Sequence, residues 1–154
     1  MPQPLIALLF LAFALPARPA SANPSAFKVD AVQASGLTRA QAKELLVVVL
    51  RHEKYKLNAP GVFVDGDLYD DKGNPPHPGY YDFSVGSDSP KEGATNYAGL
   101  FSVSVLTGDV WEINLCKRFA FPLLHKIQAA IMRRTGKTLA QESSERKGLG
   151  CTDE

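Results

Sequence analysis

Cysteine, tryptophan and excess charge are all scarce in this chain: its 154 residues include two cysteines, one tryptophan and a formal net charge of +1. With no Cys-x-x-Cys spacing, the two cysteines do not read as a dithiol redox centre. Near-neutral charge, with basic and acidic residues interspersed, excludes the basic face that phosphate contacts and counterion release require, and with it a nucleic-acid partner. The basic pairs Lys117-Arg118 and Arg133-Arg134 read as solvated residues at helix ends. No Gly-x-Ser-x-Gly elbow occurs, and no glycine pattern follows a strand and opens a helix. His52-Glu53 begins like a zinc-peptidase helix, but Lys56 stands where the second histidine belongs. His77 and His125 lie elsewhere, without ligand spacing. There is no internal repeat.

No apolar run reaches the roughly 20 residues of a bilayer span. The longest, Leu5 to Leu15, has the length of a signal-peptide core and precedes Ala20-Ser21-Ala22, a small-x-small cleavage pattern. Pro2-Gln3-Pro4 brings no basic residue to the segment before it, so the charge there is that of the amino terminus. This predicts export to the periplasm or beyond, with cleavage after Ala22. The first cysteine is Cys116, which excludes a lipid anchor at the cut and leaves no stable membrane anchor. Taking residues 1–22, with Arg18, from the 154 leaves 132 residues with 16 basic and 16 acidic side chains. That length suits one domain, residues 23–140, burying roughly two thirds of its unfolded surface. A polar tail, residues 141–154, follows, and its composition from Gln141 to Gly148 predicts disorder. In an oxidising compartment a Cys116–Cys151 disulfide is expected, closing a loop worth roughly 3–4 kcal/mol and tethering the tail.

Leu37-Thr38-Arg39-Ala40-Gln41 has the form of a capping box, and Ala42, Leu45, Leu46, Val49 and Leu50 recur at helical spacing behind it. Upstream, Ser25 to Ser35 reads as a short helix with Phe27, Ala31 and Ala34 on one side. After Asn58-Ala59-Pro60-Gly61 the period changes to alternation. Strands are predicted at 62–69 and 80–85, with Tyr81, Phe83 and Val85 on the core face, joined by a Pro- and Gly-rich loop, Asp70 to Gly79. A hairpin follows over 98–115. A three-residue loop, Leu106-Thr107-Gly108, pairs Val103 with Trp111 and Phe101 with Ile113 and gathers the apolar side chains on one face. The last helix starts at Phe121-Pro122 and ends at Gly136, burying Leu123, Leu124, Ile127, Ala130 and Ile131. The expected fold is α+β, a four-stranded antiparallel sheet with N- and C-terminal helices packed on one face.

Two groups of side chains bear on function. Asp65, Asp67, Asp70 and Asp71 can gather a hard cation, or with His77 support a metal-dependent hydrolase, but they fail the EF-hand pattern because Tyr69 takes the place of an oxygen ligand. Solvated turn residues are the default, and no metal or cofactor is expected. Tyr69, Tyr80 and either Tyr55 or Tyr97 lie beside stiff loops, where tyrosine anchors protein interfaces. The residues expected to bind a partner are Tyr69, Asp70, Asp71, His77 and Tyr80, on the 70–79 loop, with the 87–96 loop alongside. A small-ligand carrier with a pocket between sheet and helices is the alternative.

The stretches Gly79-Tyr80-Tyr81-Asp82-Phe83-Ser84-Val85 and Phe101-Ser102-Val103-Ser104-Val105-Leu106-Thr107-Gly108-Asp109-Val110-Trp111 resemble the strand-turn-strand of small exported α+β proteins. These include immunity proteins that neutralise toxins in the bacterial envelope and PepSY-like inhibitory modules. The resemblance carries no catalytic residue across. It implies a non-enzymatic inhibitor or binding protein with a protein partner in the envelope.

Overall fold

A computed structural model of the chain describes residues 27–66, 69, 71–91 and 93–151. The expected signal peptide and its cleavage site lie outside them, as do Asp67 and Asp70. Helix α1, Arg39–His52, starts at the expected capping box. The Gln41 N–H donates to Thr38 Oγ1 at 3.2 Å, and the Thr38 N–H donates to Gln41 Oε1 at 2.8 Å. Its buried stripe is Ala42, Leu45, Leu46, Val49 and Leu50, as the spacing required. Each such aliphatic side chain contributes about 1.5–3 kcal/mol by burial. Upstream, a single 3₁₀ turn, Val29–Ala31, stands where the short helix was expected.

Five antiparallel strands follow in the order of the chain: β1 Val62–Asp65, β2 Tyr80–Asp88, β3 Thr95–Ser104, β4 Val110–Glu112 and β5 Lys117–Arg118. The sheet is therefore one strand larger than expected. Two-residue β5 escapes a periodicity argument, and it forms because Cys116 turns the chain at φ 48° to set Arg118 beside Trp111. Phe83, Val85, Phe101, Val103 and Val110 face α1 and α2, Pro122–Thr135, in the main core. Helix α2 ends at Gly136, φ +73°, and buries Leu124, Ile127, Gln128 and Ile131, whereas Leu123 is exposed.

The β3–β4 register differs by one residue from the expected one. Val103 pairs with Val110, Ser102 with Trp111 and Phe101 with Glu112, around a four-residue loop, Val105 to Gly108. The Ser104 N–H donates to the Asp109 carbonyl at 2.8 Å, and the Gly108 N–H donates to the Ser104 carbonyl at 3.0 Å. Gly108 is left-handed, φ +68°, as expected. Because side chains alternate, the one-residue shift moves Trp111 to the opposite face.

That second face is covered as well. Residues expected to be disordered form helix α3, Leu139–Arg146, behind a second capping box between Thr138 and Gln141, and a 3₁₀ turn, Lys147–Leu149. Leu149 packs on Tyr80 and Trp111, with Ile113 and Cys151 beside them. The Cys116–Cys151 disulfide closes this layer. Helices thus lie on both faces of the sheet, and the tail's lack of apolar residues is made up by charge pairing.

Candidate functional site

Beneath α3 lies a closed polar cluster. Asp109, fully buried, accepts from Trp111 Nε1 at 2.7 Å, Arg118 Nε at 2.8 Å and Gln128 Nε2 at 3.4 Å. Glu142 accepts from Arg118 Nη2 and from Arg146 Nη2, each at 2.9 Å. Burial, and then the hydrogen bond and repulsion from Asp109, hold the Glu142 carboxyl above the usual carboxylate range. This cluster ties β4, β5, α2 and α3 together.

A second cluster holds the proline-rich loop. His77 Nδ1 lies 2.8 Å from Asp82 Oδ1, the His77 N–H donates to Asp82 Oδ2 at 3.3 Å, and the Ser102 hydroxyl donates to Asp82 Oδ1. The residue types are those of a hydrolase triad, but the roles are not. In a triad the histidine stands between an exposed serine and the carboxylate. Here Ser102 is fully buried and bonds the carboxylate directly. His77, expected at an interface, is a clamp between the loop and β2.

Tyr80 is buried where an exposed ring was expected. It is 2 % exposed, packed with Trp111 and Leu149, and burial raises its phenol pKa strongly. Expecting it on an exposed face followed from treating residues 141–148 as disordered. Tyr69, by contrast, is 51 % exposed. Its hydroxyl accepts from Arg39 Nη2 at 2.7 Å, and the same guanidinium, bonded to the Gly66 carbonyl, stands over the Tyr69 and Tyr81 rings at 5.2 and 4.8 Å. Asp71 is exposed, and Asp65 accepts the Gly66 N–H at 2.8 Å. The acidic cluster lies in part outside the described residues, among which no group of three or more His, Cys, Asp or Glu is placed to hold a metal.

The opposite end of the sheet is open. A cavity of about 300 Å³ lies between the segment after α1 and the ends of β2 and β3, walled by Tyr55, Leu57, Val62, Val85 and Tyr97. Tyr97 is 57 % exposed, and in the 3₁₀ turn Ile113–Leu115 that follows β4, Leu115 is 69 % exposed. Nearby, the Glu53–Lys117 pair, 2.7 Å, lowers the glutamate pKa and raises that of the lysine. Glu112 is buried on the core face opposite Phe101, and desolvation raises its carboxyl above the usual range, opposed by Lys117. The one-residue register shift sets Glu112 on the same face as Phe101 and Val103.

Comparison with known proteins bears on what such surfaces do. No curated protein matches the chain. A chain of a solved structure, that of a type VI secretion system effector–immunity complex from Pseudomonas protegens, is 57 % identical. The match covers 83 % of this chain and 100 % of that one, with a TM-score of 0.78. The family model for the type VI secretion system immunity protein Tgi2PP matches residues 36–143, which run from the turn before α1 into α3. With residues 36–143 matched, more than half of its length, the chain belongs to the Tgi2PP family of type VI secretion system immunity proteins.

Proposed function

We propose that this protein is an exported, non-enzymatic immunity protein that binds a type VI secretion effector and holds it inactive in the cell envelope. The observation that carries the reading is the 57 % identity to a chain of an effector–immunity complex, over that chain's whole length. The internal closure of the Asp109 and Asp82 clusters is in keeping with it, since the polar groups there stabilise a surface rather than serve a reaction. The envelope location rests on the Leu5–Leu15 run with its Ala20-Ser21-Ala22 site and on the Cys116–Cys151 disulfide, a bond that persists in oxidising compartments.

The test is protection. The effector of the same cell's type VI system is directed to the periplasm of a sensitive host, with either the full chain or a version lacking residues 1–22. Rescue of growth by the full chain alone, with association of the purified proteins, supports both the function and the location. Rescue by neither, with no association, overturns the reading.

A further inference from the structure

We infer that the groove between the turn after α1 and the open ends of β2 and β3 is a docking site for the effector, and that it takes an acidic segment carrying an apolar or aromatic side chain. The inference deepens the immunity reading above and rests on it.

The groove is built on a stiff piece of chain. After α1 the Lys54 N–H donates to the Arg51 carbonyl at 3.1 Å and the Tyr55 N–H to the Leu50 carbonyl at 2.9 Å, the paired bonds of a Schellman cap. Tight turns follow at once, in which the N–H groups of Leu57, Ala59 and Val62 donate to the Tyr55, Lys56 and Ala59 carbonyls at 2.9, 3.0 and 3.2 Å. The Tyr55 ring stands edge-on to Phe101 of the core, centroids 6.0 Å apart. One wall is therefore in place before a partner arrives, and binding orders little of it.

Two cavities share this turn. The one of about 300 Å³ runs to β2 and β3, whose ladder is bulged between Val85 and Gly86. A second, of about 430 Å³, lies toward the end of α1, at Arg51 and Asn58. Tyr55, Lys56, Leu57 and Ala59 wall both. A small molecule fills one of them, whereas a protein segment crossing the turn reaches both. Tyr97, exposed and lining the first, adds aromatic contact.

Charge gives the chemistry of the occupant. The chain is almost neutral, yet the charged residues lining the two cavities are Arg51 and Lys56, with no acid among the described residues there. Lys56 is exposed and makes no ion pair with a described residue. Glu53, the acid at the start of this segment, is held by Lys117 at 2.7 Å. Lys54 points the same way. It is left-handed, φ 64°, at the cap position that glycine fills without strain, so a third cation is kept beside the groove against the preference of the backbone. An aspartate or glutamate on the occupant complements these cations, and Leu57, Val62 and Val85 receive an apolar side chain next to it.

The effector neutralised by the wild-type chain is the probe, and its affinity is measured by calorimetry at about 0.05 M and about 0.3 M salt. Lys56→Glu is expected to weaken binding by about tenfold or more at the lower salt and by less at the higher. Tyr97→Ala is expected to lose about fivefold or more at both. Lys54→Gly should melt no lower than wild type and yet bind about threefold or more weaker, a combination that a merely structural lysine would not produce. Lys126→Glu, exposed on α2, should stay within about twofold.

If Lys56→Glu and Tyr97→Ala both bind with wild-type affinity, the groove is not the docking site while the immunity function stands. The same holds if Lys126→Glu loses as much as Lys56→Glu, or if native mass spectrometry finds a small ligand in the groove that Tyr97→Ala releases with effector affinity unchanged. If the wild-type chain binds no effector, the function fails and the inference with it.

Discussion

Trp111, in β4, donates its indole N–H to Oδ2 of Asp109, the residue before that strand, at 2.7 Å, beneath the helix formed by the polar tail. The bond explains the register. An indole turned toward the aliphatic core would lose this acceptor, and Asp109 would lose one of the donors that make its burial tolerable. Trp111→Phe keeps most of the apolar area and removes the donor. It should lower stability by about 1–3 kcal/mol in urea unfolding. An unchanged midpoint would show that Arg118 and Gln128 satisfy Asp109 without it.

Most of the main core was legible because its signals are local. Thr38 and Gln41 announce α1, Pro122 and Gly136 bracket α2, and Gly108 marks the left-handed turn. The second face was not, for one reason with several consequences. Gln141 to Gly148 has almost no apolar side chain, and hydrophobicity governed the reading. Thr138-Leu139-Ala140-Gln141 nevertheless has the same capping form as Thr38 to Gln41, and Glu142 and Arg146 share the spacing of an i, i+4 pair. Taken as a helix, that segment covers a sheet face, which then needs Tyr80 and Trp111 on it. The register, the burial of Tyr80 and the inward turn of Glu112 all follow from that cover. Among the site residues, Tyr69 was legible as an exposed aromatic, whereas Glu112 required the register.

The disulfide should act on this second layer above all. Its cysteines are 35 residues apart, a closure for which chain entropy gives about 3–4 kcal/mol. Cys116→Ser with Cys151→Ser is expected to reduce stability by about that amount. Leu149 should then separate from Tyr80 and Trp111, shifting the single tryptophan's emission to the red well before the main core unfolds. A red shift that coincides with the loss of far-ultraviolet helix signal would mean that the two layers unfold together.

Two substitutions at Tyr80 should part company. Its hydroxyl is buried with no hydrogen-bond partner among the described residues, so Tyr80→Phe removes a desolvated group and nothing else. Stability should stay within about 0.5 kcal/mol of wild type or rise. Tyr80→Ala opens a cavity beside Trp111 and should cost about 3–5 kcal/mol. Loss of effector binding in Tyr80→Ala would therefore report unfolding of the second layer. Equal stability of both variants would contradict the burial of this ring.

At Gly108 backbone and packing act in the same direction. The residue is left-handed, and an added Cβ would stand 2.6 Å from Ile131 Cδ1 and 3.0 Å from Leu45 Cδ2, joining the tip of the hairpin to α2 and α1. Gly108→Ala should cost more than about 1 kcal/mol, since neither helix can withdraw without disturbing the core. A smaller loss in thermal unfolding would show that the hairpin tip moves freely against the helices.

Glu112 gives stability a pH dependence whose sign is fixed by burial. Desolvation raises its folded pKa above the unfolded value, so across the window between them the native state holds the proton and the unfolded state has lost it. Stability contributed by this group therefore falls as pH rises through the window, beginning near the ordinary glutamate value of about 4.3, and levels off above the raised value. Glu53 shifts downward through Lys117 and Glu142 upward through burial, but both are unchanged in a Glu112→Gln variant and cancel in the difference. Glu112→Gln should accordingly gain stability on wild type as pH rises through the window and hold a constant advantage at neutral pH. Urea unfolding of both proteins at a series of pH values measures it. A difference that does not change with pH would mean that the carboxylate is solvated in the folded chain.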